Sequence, residues 1–494
     1  MTNTIGNDAG ATATAEAIAD AVNAAMAAER ARKEAKAQKQ KQYRGKKKAE
    51  NRDATSKELA RRCEDLGLVV PRETDKDENG RIKNTLANCV AILESQPWGF
   101  AFDELAQEFV FRGEVSWPAH YGKVLTDDLV RAIRFEIVNV FDVEFSTPNV
   151  FDSLMVLCRA KPFNPVVEYL DKLEWDGVAR LDSWLAVYMG APDNYYTRAV
   201  GPKWALGAVA RAMKPGVKFD QALILEGEQG SDKSTGIETL AGEGFFSDAE
   251  LGNVRDKDAV LNLQGVWIQE MAEMTTMTKS DVNELKGFIS RKTDKIRAPF
   301  GRLPIKLPRG FVLVGTINPG QGGYFIDQTG NRRYWPVVTG AVDLQGLKRD
   351  RDQIWAEAVT RYKAGESLFL PKELWGIAAQ EQDARRLAHP WEDEIEAWME
   401  SVTPETCFTH KDTGKCITGD CMHLPADCFG TDGKLRRIHS RDLLSKACGI
   451  PPGSRNTAHG RTLKTIMARK KGWTYRGNLA IGGVKGIGGY ERED

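Results

Sequence analysis

The sequence predicts an α/β fold, and three stretches in the middle of the chain carry that prediction. Phe219–Leu225 reads as a short buried strand, followed by the glycine-bearing loop Gly227-Glu-Gln-Gly-Ser-Asp-Lys-Ser234 and a helical run from Thr235 to Leu240. Gly265-Val-Trp-Ile-Gln-Glu-Met-Ala-Glu273 is an apolar strand that ends in acid, and Phe311-Val-Leu-Val-Gly-Thr-Ile-Asn318 is a second one that ends in polar residues.

The 494 residues allow two to four domains at roughly 100–200 residues each. With 41% hydrophobic and 28% charged residues and a net charge of +0, the composition is ordinary and globular, so any nucleic-acid surface has to be local. No stretch approaches the roughly 18 continuous apolar residues that cross a bilayer, so the expectation is a soluble, intracellular protein with no membrane partner. Eight cysteines are too few for a general disulfide framework, and Cys63, Cys89 and Cys158 are scattered and look structural.

Residues 1–55 carry alanine, charge and glutamine but almost no large apolar side chain, which predicts a disordered segment or a lone helix. Eleven Lys/Arg against three Glu between Glu29 and Arg52 give a local charge of +8, which suits either phosphate neutralisation or a solvated tail. Residues 56–161 turn globular, with helical candidates at Thr85–Ser95 and Asp127–Asn139, and predict a small helical or mixed domain of unread role. Residues 162–378 form the central domain; its lead-in is amphipathic, and Gly201–Ala212 reads as a helix ended by Lys214-Pro-Gly216.

Strand, glycine loop, Lys-Ser and helix, in that order, are the context of a P-loop. Backbone N–H groups of such a loop wrap a triphosphate, which places Gly227, Gln229, Gly230, Ser231, Asp232, Lys233, Ser234 and Thr235 around ATP. Lys233 then lies on the β- and γ-phosphates and Ser234 on Mg²⁺. Asp232 stands where the usual pattern has glycine; aspartate tolerates left-handed backbone, so the expectation is a formed loop with the carboxylate turned to solvent. Glu270, with Glu273 as the second candidate, is placed to hold Mg²⁺ or polarise water. A strand lying between the other two would deliver Asn318 to the γ-phosphate, although Asn318-Pro319-Gly320 is also a turn signal. Arg332 and Arg333 suit developing phosphoryl charge, or simple packing at the edge of the core.

These residues lead to a known family. Phe163-Asn-Pro165, Trp175-Asp-Gly177, Gly227–Thr235, Gly265-Val-Trp-Ile with Glu270 and Glu273, Leu285–Arg291, Arg297–Arg302, Gly315-Thr-Ile-Asn318 and Gly330-Asn-Arg-Arg-Tyr-Trp-Pro336 resemble the virulence-associated E family. Its members are phage, prophage and genomic-island P-loop proteins related to the superfamily-three helicases. The resemblance implies an AAA+ or helicase-like core, homo-hexameric, that works on DNA with replication proteins of the host or element. It also implies that Lys233 and Ser234 bind ATP and Mg²⁺, Glu270 polarises water, Asn318 senses the γ-phosphate and Arg333 acts in trans. In the superfamily-three helicases a basic hairpin enters the ring channel; here it would come from Lys279–Arg302, with Lys295, Arg297 and Arg302 on DNA.

Residues 379–494 read as a C-terminal domain. Helices are expected at Gln380–Met399 around Pro390, at Arg441–Cys448 and at Arg461–Arg469, with short strands at Gly472–Tyr475 and Gly488–Tyr490. With Arg436, Arg437, Arg455, Arg461, Lys464, Arg469, Lys470 and Lys471, this pattern suggests a winged helix on DNA, against a basic packing domain. Cys407, Cys416, Cys421 and Cys428, with His410 and His423, have irregular spacing, which favours reduced cysteines in an insertion over structural zinc. The leading function is an ATP-hydrolysing DNA motor; the alternative is an ATP-gated DNA-binding or origin-recognition protein that does not translocate.

Overall fold

The computed structural model describes residues 9–113, 122–251, 257–271, 279–296, 303–318, 331–404 and 424–493. The chain divides into two compact units, Met1–Glu168 and Tyr169–Asp494. Among the described residues no helix is long and apolar enough to cross a membrane.

In the first unit α1 (Ala9–Asp65) is one helix, exposed on every side from Asp20 to Ala54. A helix that is polar all round gains nothing from burial, and α1 meets the core only near its end, through Leu59 and Cys63. The elements after it are α2 (Leu86–Ser95), β1 (Phe100–Asp103), β2 (Glu108–Phe111), α3 (Asp127–Phe141), α4 (Thr147–Arg159) and β3 (Pro162–Phe163). The Thr85, Thr126 and Ser146 side chains accept the N–H groups of Asn88, Leu129 and Asn149, so all three helices start at an N-cap hydroxyl. The strands form a sheet of order β2-β1-β3. Trp98, Phe100, Phe102, Ile133, Ile137 and Phe145 fill the core, and Cys63, Cys89 and Cys158 are buried among them as free thiols.

α5 (Pro165–Asp171) spans the junction. The second unit continues with α6 (Trp184–Met189), α7 (Thr197–Met213), β4 (Ala222–Glu226), α8 (Lys233–Ala241), β5 (Phe246–Ser247), α9 (Lys257–Leu261), β6 (Ile268–Met271) and α10 (Lys279–Ile289). Next come β7 (Thr293–Ile296), β8 (Ile305–Pro308), β9 (Val312–Ile317), β10 (Tyr334–Val338), α11 (Leu344–Lys363) and α12 (Trp375–Ala384). Five of these strands make a parallel sheet of order β10-β4-β9-β6-β5. Strands covered on both faces read as continuous apolar runs, and Ala222–Glu226 and Ile268–Met271 are buried at every position. Two tryptophans tie α7 to this sheet, Trp204 Nε1 donating to Leu313 O and Trp267 Nε1 to Ala208 O, and Trp355 Nε1 ties α11 to α8 by donating to Leu240 O. At Gly207 a Cβ would stand 2.3 Å from the Phe219 ring, so only glycine lets α7 lie this close to the lead-in of β4.

The expected insertion at Lys279–Arg302 takes a different form in its first half, which is the helix α10. Only β7 and β8 pair as an antiparallel hairpin, with Lys295 opposite Lys306. Asp294 and Arg309 close its base as a buried ion pair, Arg309 Nη2 donating to Asp294 Oδ1 at 2.9 Å.

The C-terminal part comprises α13 (Pro390–Ser401), β11 (Arg437–His439), α14 (Ser440–Asp442) with a π turn over Leu443–Ala447, α15 (Thr457–Met467), β12 (Trp473–Ile481) and β13 (Val484–Arg492). Its sheet has the order β11-β13-β12, and its core joins Ile395 and Trp398 to Leu443, Leu463, Ile466 and Tyr490. Arg441–Cys448, expected as one helix, is the short α14 followed by the π turn. The strands expected as short segments around Tyr475 and Tyr490 are nine residues each.

Candidate active site

In a parallel sheet, side chains and loops converge at the carboxyl ends of the strands. Here β4, β9 and β6 are adjacent, and their carboxyl ends deliver the Gly227–Asp232 loop, Thr316 with Asn318, and Glu270.

The loop is shaped by its own backbone. At Gly227 a Cβ would lie 2.7 Å from Thr339 Oγ1, and Gly227 N donates to Ile317 O at 3.1 Å, which pins the loop between β9 and the end of β10. Gly230 has φ +79°, and Asp232 has φ 57° and ψ 25° in the left-handed region, with its side chain exposed. Asp232 O accepts from Gly236 N at 2.8 Å, and this opens α8. The far end of α8 is held by α11: Arg351 donates to Leu240 O and Ala241 O, and Trp355 to Leu240 O. A cation on the last carbonyls of a helix complements its dipole and fixes its position. Below the loop, buried Glu226 pairs with Arg385 of the segment that follows α12.

Lys233 is the first residue of α8 and is buried to 6% exposure. Its ammonium donates to Glu228 O at 2.7 Å, Gly227 O at 2.9 Å, Asn318 Oδ1 at 3.1 Å and Ser231 Oγ at 3.2 Å. Three protons face four acceptors, so one is shared. Burial pulls the ammonium below the usual lysine range, and the Glu270 charge opposes that shift.

Glu270 lies in β6 at 3% exposure. Its Oε1 accepts from Ser234 Oγ at 2.7 Å and from Thr316 Oγ1. Its Oε2 is buried and has no hydrogen-bond partner among the described residues. An unsatisfied buried carboxylate oxygen costs about 1–3 kcal/mol and calls for a reason. Beside the Ser234 hydroxyl it forms part of the all-oxygen donor set that a hard divalent cation takes, so Ser234 and Glu270 fit Mg²⁺.

Lys233, Ser234, Glu270 and Asn318 are thus brought together, and Thr316 joins them although sequence reasoning gave it no role. Its signal was strand parity: Glu270 stands opposite Val314, so Thr316, two residues on, shares its face. Gln229 and Thr235 are exposed on the loop and the first turn of α8. Arg332 and Arg333 form a 3-10 turn before β10; Arg332 is exposed, and Arg333 Nε donates to Ser290 Oγ at 2.9 Å and lies 3.7 Å from Asp220. Lys295 is exposed on β7.

Glu273, Arg297, Arg302, Cys407, Cys416, Cys421, His410 and His423 lie outside the described residues. Cys428 is buried in the C-terminal core, and burial pushes its thiol up to about 12. Among the described residues no group of three or more His, Cys, Asp and Glu stands ready for a metal.

Residues 170–387 match the family model of the virulence-associated protein E-like domain. Two solved structures of the NrS-1 C terminal region are similar to the chain. The A form apo structure of that region is 12% identical with a TM-score of 0.44, covering 82% of this chain and 99% of that one. The A form apo structure of its CTR(305-718) is 11% identical with a TM-score of 0.45, covering 83% and 100%. No curated protein matches the chain.

Proposed function

We propose that this chain, which carries a virulence-associated protein E-like domain at residues 170–387, is an ATP-hydrolysing motor that acts on DNA in the replication of a phage, prophage or related mobile element. The observation that carries the reading is the hydrogen-bonded cluster of Lys233, Ser234, Glu270, Thr316 and Asn318 at the ends of three adjacent parallel strands.

In this reading Gly227–Thr235 is a P-loop, and its N–H groups with the first turn of α8 bind the phosphates of ATP. Lys233 exchanges its loop carbonyls for β- and γ-phosphate oxygens. Ser234 and Glu270 would hold Mg²⁺, which would supply charge neutralisation at the phosphates. Glu270, or Glu273 after it, orients and deprotonates the attacking water, and Asn318 turns its amide from Lys233 to the γ-phosphate. Arg332 or Arg333 completes the site of a neighbouring subunit in a homo-hexameric ring. Lys295 on the β7–β8 hairpin, with Arg297 and Arg302, follows the DNA backbone. The C-terminal domain is read as a winged helix, which the order α13-β11-α14-α15-β12-β13 and the sheet order β11-β13-β12 support.

Phosphate release by the purified full chain, with and without single-stranded DNA, tests the reading. Wild type is expected to hydrolyse ATP faster with DNA, and Lys233→Ala to be inactive; DNA-stimulated hydrolysis that survives Lys233→Ala would remove the site. A forked duplex separates motor from binder, because a protein that only assembles on DNA saturates the fork and releases no strand.

A further inference from the structure

Between Asp442 and Glu491 the chain has no acidic residue, yet it carries Lys446, Arg455, Arg461, Lys464, Arg469, Lys470, Lys471, Arg476 and Lys485. Nine cations in 48 acid-free residues stand out in a chain whose net charge is +0. The structure sorts these cations. Arg476 pairs with Glu491 and Glu493, Lys470 with Glu396, and the Arg455 guanidinium is spent on Ser445. The open groove beside Lys434, Lys471 and Trp473 is walled on one side by Glu396 and Glu400 of α13, so it mixes both signs. At the β12–β13 turn Asp427 accepts from Gly482 N, which again sets an acid among cations.

The outer face of α15 is different. Leu463, Ile466 and Met467 turn into the core, and Thr457, Ala458, Gly460, Arg461, Lys464 and Ala468 face solvent. Among the described residues neither Arg461 nor Lys464 has an acidic partner; Lys464 lies over the Tyr475 ring at 4.8 Å, and half-exposed Tyr475 holds it in place from β12. Small residues flank the two cations, and a Cβ added at Gly460 would meet nothing within 4 Å, so the face is low enough for close approach to another surface. The helix starts firmly, with Asn456 accepting from His459 N at 2.9 Å. Its eleven residues measure about 16 Å at 1.5 Å each, and its width suits a groove about 12 Å across.

We propose that α15 is a docking helix for double-stranded DNA, seated in the major groove with Arg461 and Lys464 on base edges or flanking phosphates. It forms a second DNA contact, separate from the β7–β8 hairpin and independent of nucleotide. The proposal rests on the reading that the protein acts on DNA, but not on ATP hydrolysis. A rigid helix face fits a rigid duplex; single strands are better gripped by stacking in a groove.

The test is fluorescence anisotropy of the full chain, without nucleotide, on a labelled duplex of about three helical turns and on one of its single strands. The variants are R461A/K464A, on the α15 face, and K434A/K471A, on the groove. Both pairs are exposed, and unchanged thermal midpoints confirm folding. The expected result is that R461A/K464A weakens duplex binding at least about tenfold, as loss of contacts near 1–3 kcal/mol each implies. Its log–log salt slope between about 50 and 200 mM should also flatten by up to about 2. Single-strand binding and K434A/K471A should stay near wild type. Duplex affinity unchanged in R461A/K464A overturns the proposal, and so does an equal or larger loss in K434A/K471A, which moves the contact to the groove. An ATPase-dead protein that still binds duplex through α15 would sink the motor and leave this inference standing.

Discussion

The strand-end cluster and the outer face of α15 are both built on cations, and they treat charge in opposite ways. Lys233 is buried, so its ammonium is surrounded by four acceptors and faces the Glu270 carboxylate. Arg461 and Lys464 are exposed to solvent. Burying a charge requires partners inside the protein; exposing one leaves it available for an outside partner of opposite sign. The function proposed for the first site therefore depends on exchanging internal partners, and that proposed for the second on meeting an external one.

That contrast can be broken by mutation. The largest effect is expected for Lys233→Ala, which should lower ATP hydrolysis by at least about 100-fold, the scale of losing a preorganised electrostatic contact. Phosphate release at saturating ATP measures it, and a loss under tenfold would mean the lysine is not on the reacting phosphates.

Glu270→Gln should lower turnover by about 100-fold or more, as loss of a general base or metal ligand does. Because it removes a buried negative charge and keeps the Oε1 acceptor used by Ser234 and Thr316, its thermal midpoint should hold or rise. A midpoint that falls by several degrees would show Glu270 to be a structural residue.

Thr316→Val keeps the shape and removes the hydroxyl that steadies Glu270. Turnover should drop by about tenfold with little change in KM, since positioning and not binding is lost. Equal changes in both would show a contact to substrate instead. The smallest effect is expected for Asp232→Gly: the position is already left-handed and its side chain is exposed, so hydrolysis should stay within about twofold of wild type. A gain of tenfold would mean that the aspartate charge reaches the phosphates.

Much of the cluster was legible because strand, loop and helix are local. Gly227–Ser234, Glu270 and Asn318 stand at the ends of apolar runs that announce themselves, and the left-handed backbone at Asp232 follows from the demands of that loop. The first unit was harder to read. Four-residue strands such as Phe100–Asp103 are too short for an alternation to stand out, and α4 is entered through Pro148. α10 was missed because Lys279–Ile289 was grouped with the basic residues that follow it, although Leu285, Phe288 and Ile289 carry a helical core stripe.

By itself the sequence determined the strand, loop and helix around Gly227–Ser234, the residue types at the strand ends and the cationic character of the C-terminal part, because propensity, turn residues and charge act over a few neighbouring positions. Only the tertiary structure decided that Thr316 reaches Glu270, that Arg385 closes on Glu226 and Arg351 on the end of α8, and which cations of the C-terminal part are neutralised. Those partners lie 46, 159, 111 and 74 residues apart, for Thr316, Arg385, Arg351 and Lys470 in turn. Separations of that size are spanned by the strand order β4-β9-β6 and by helix packing, and no local pattern encodes them.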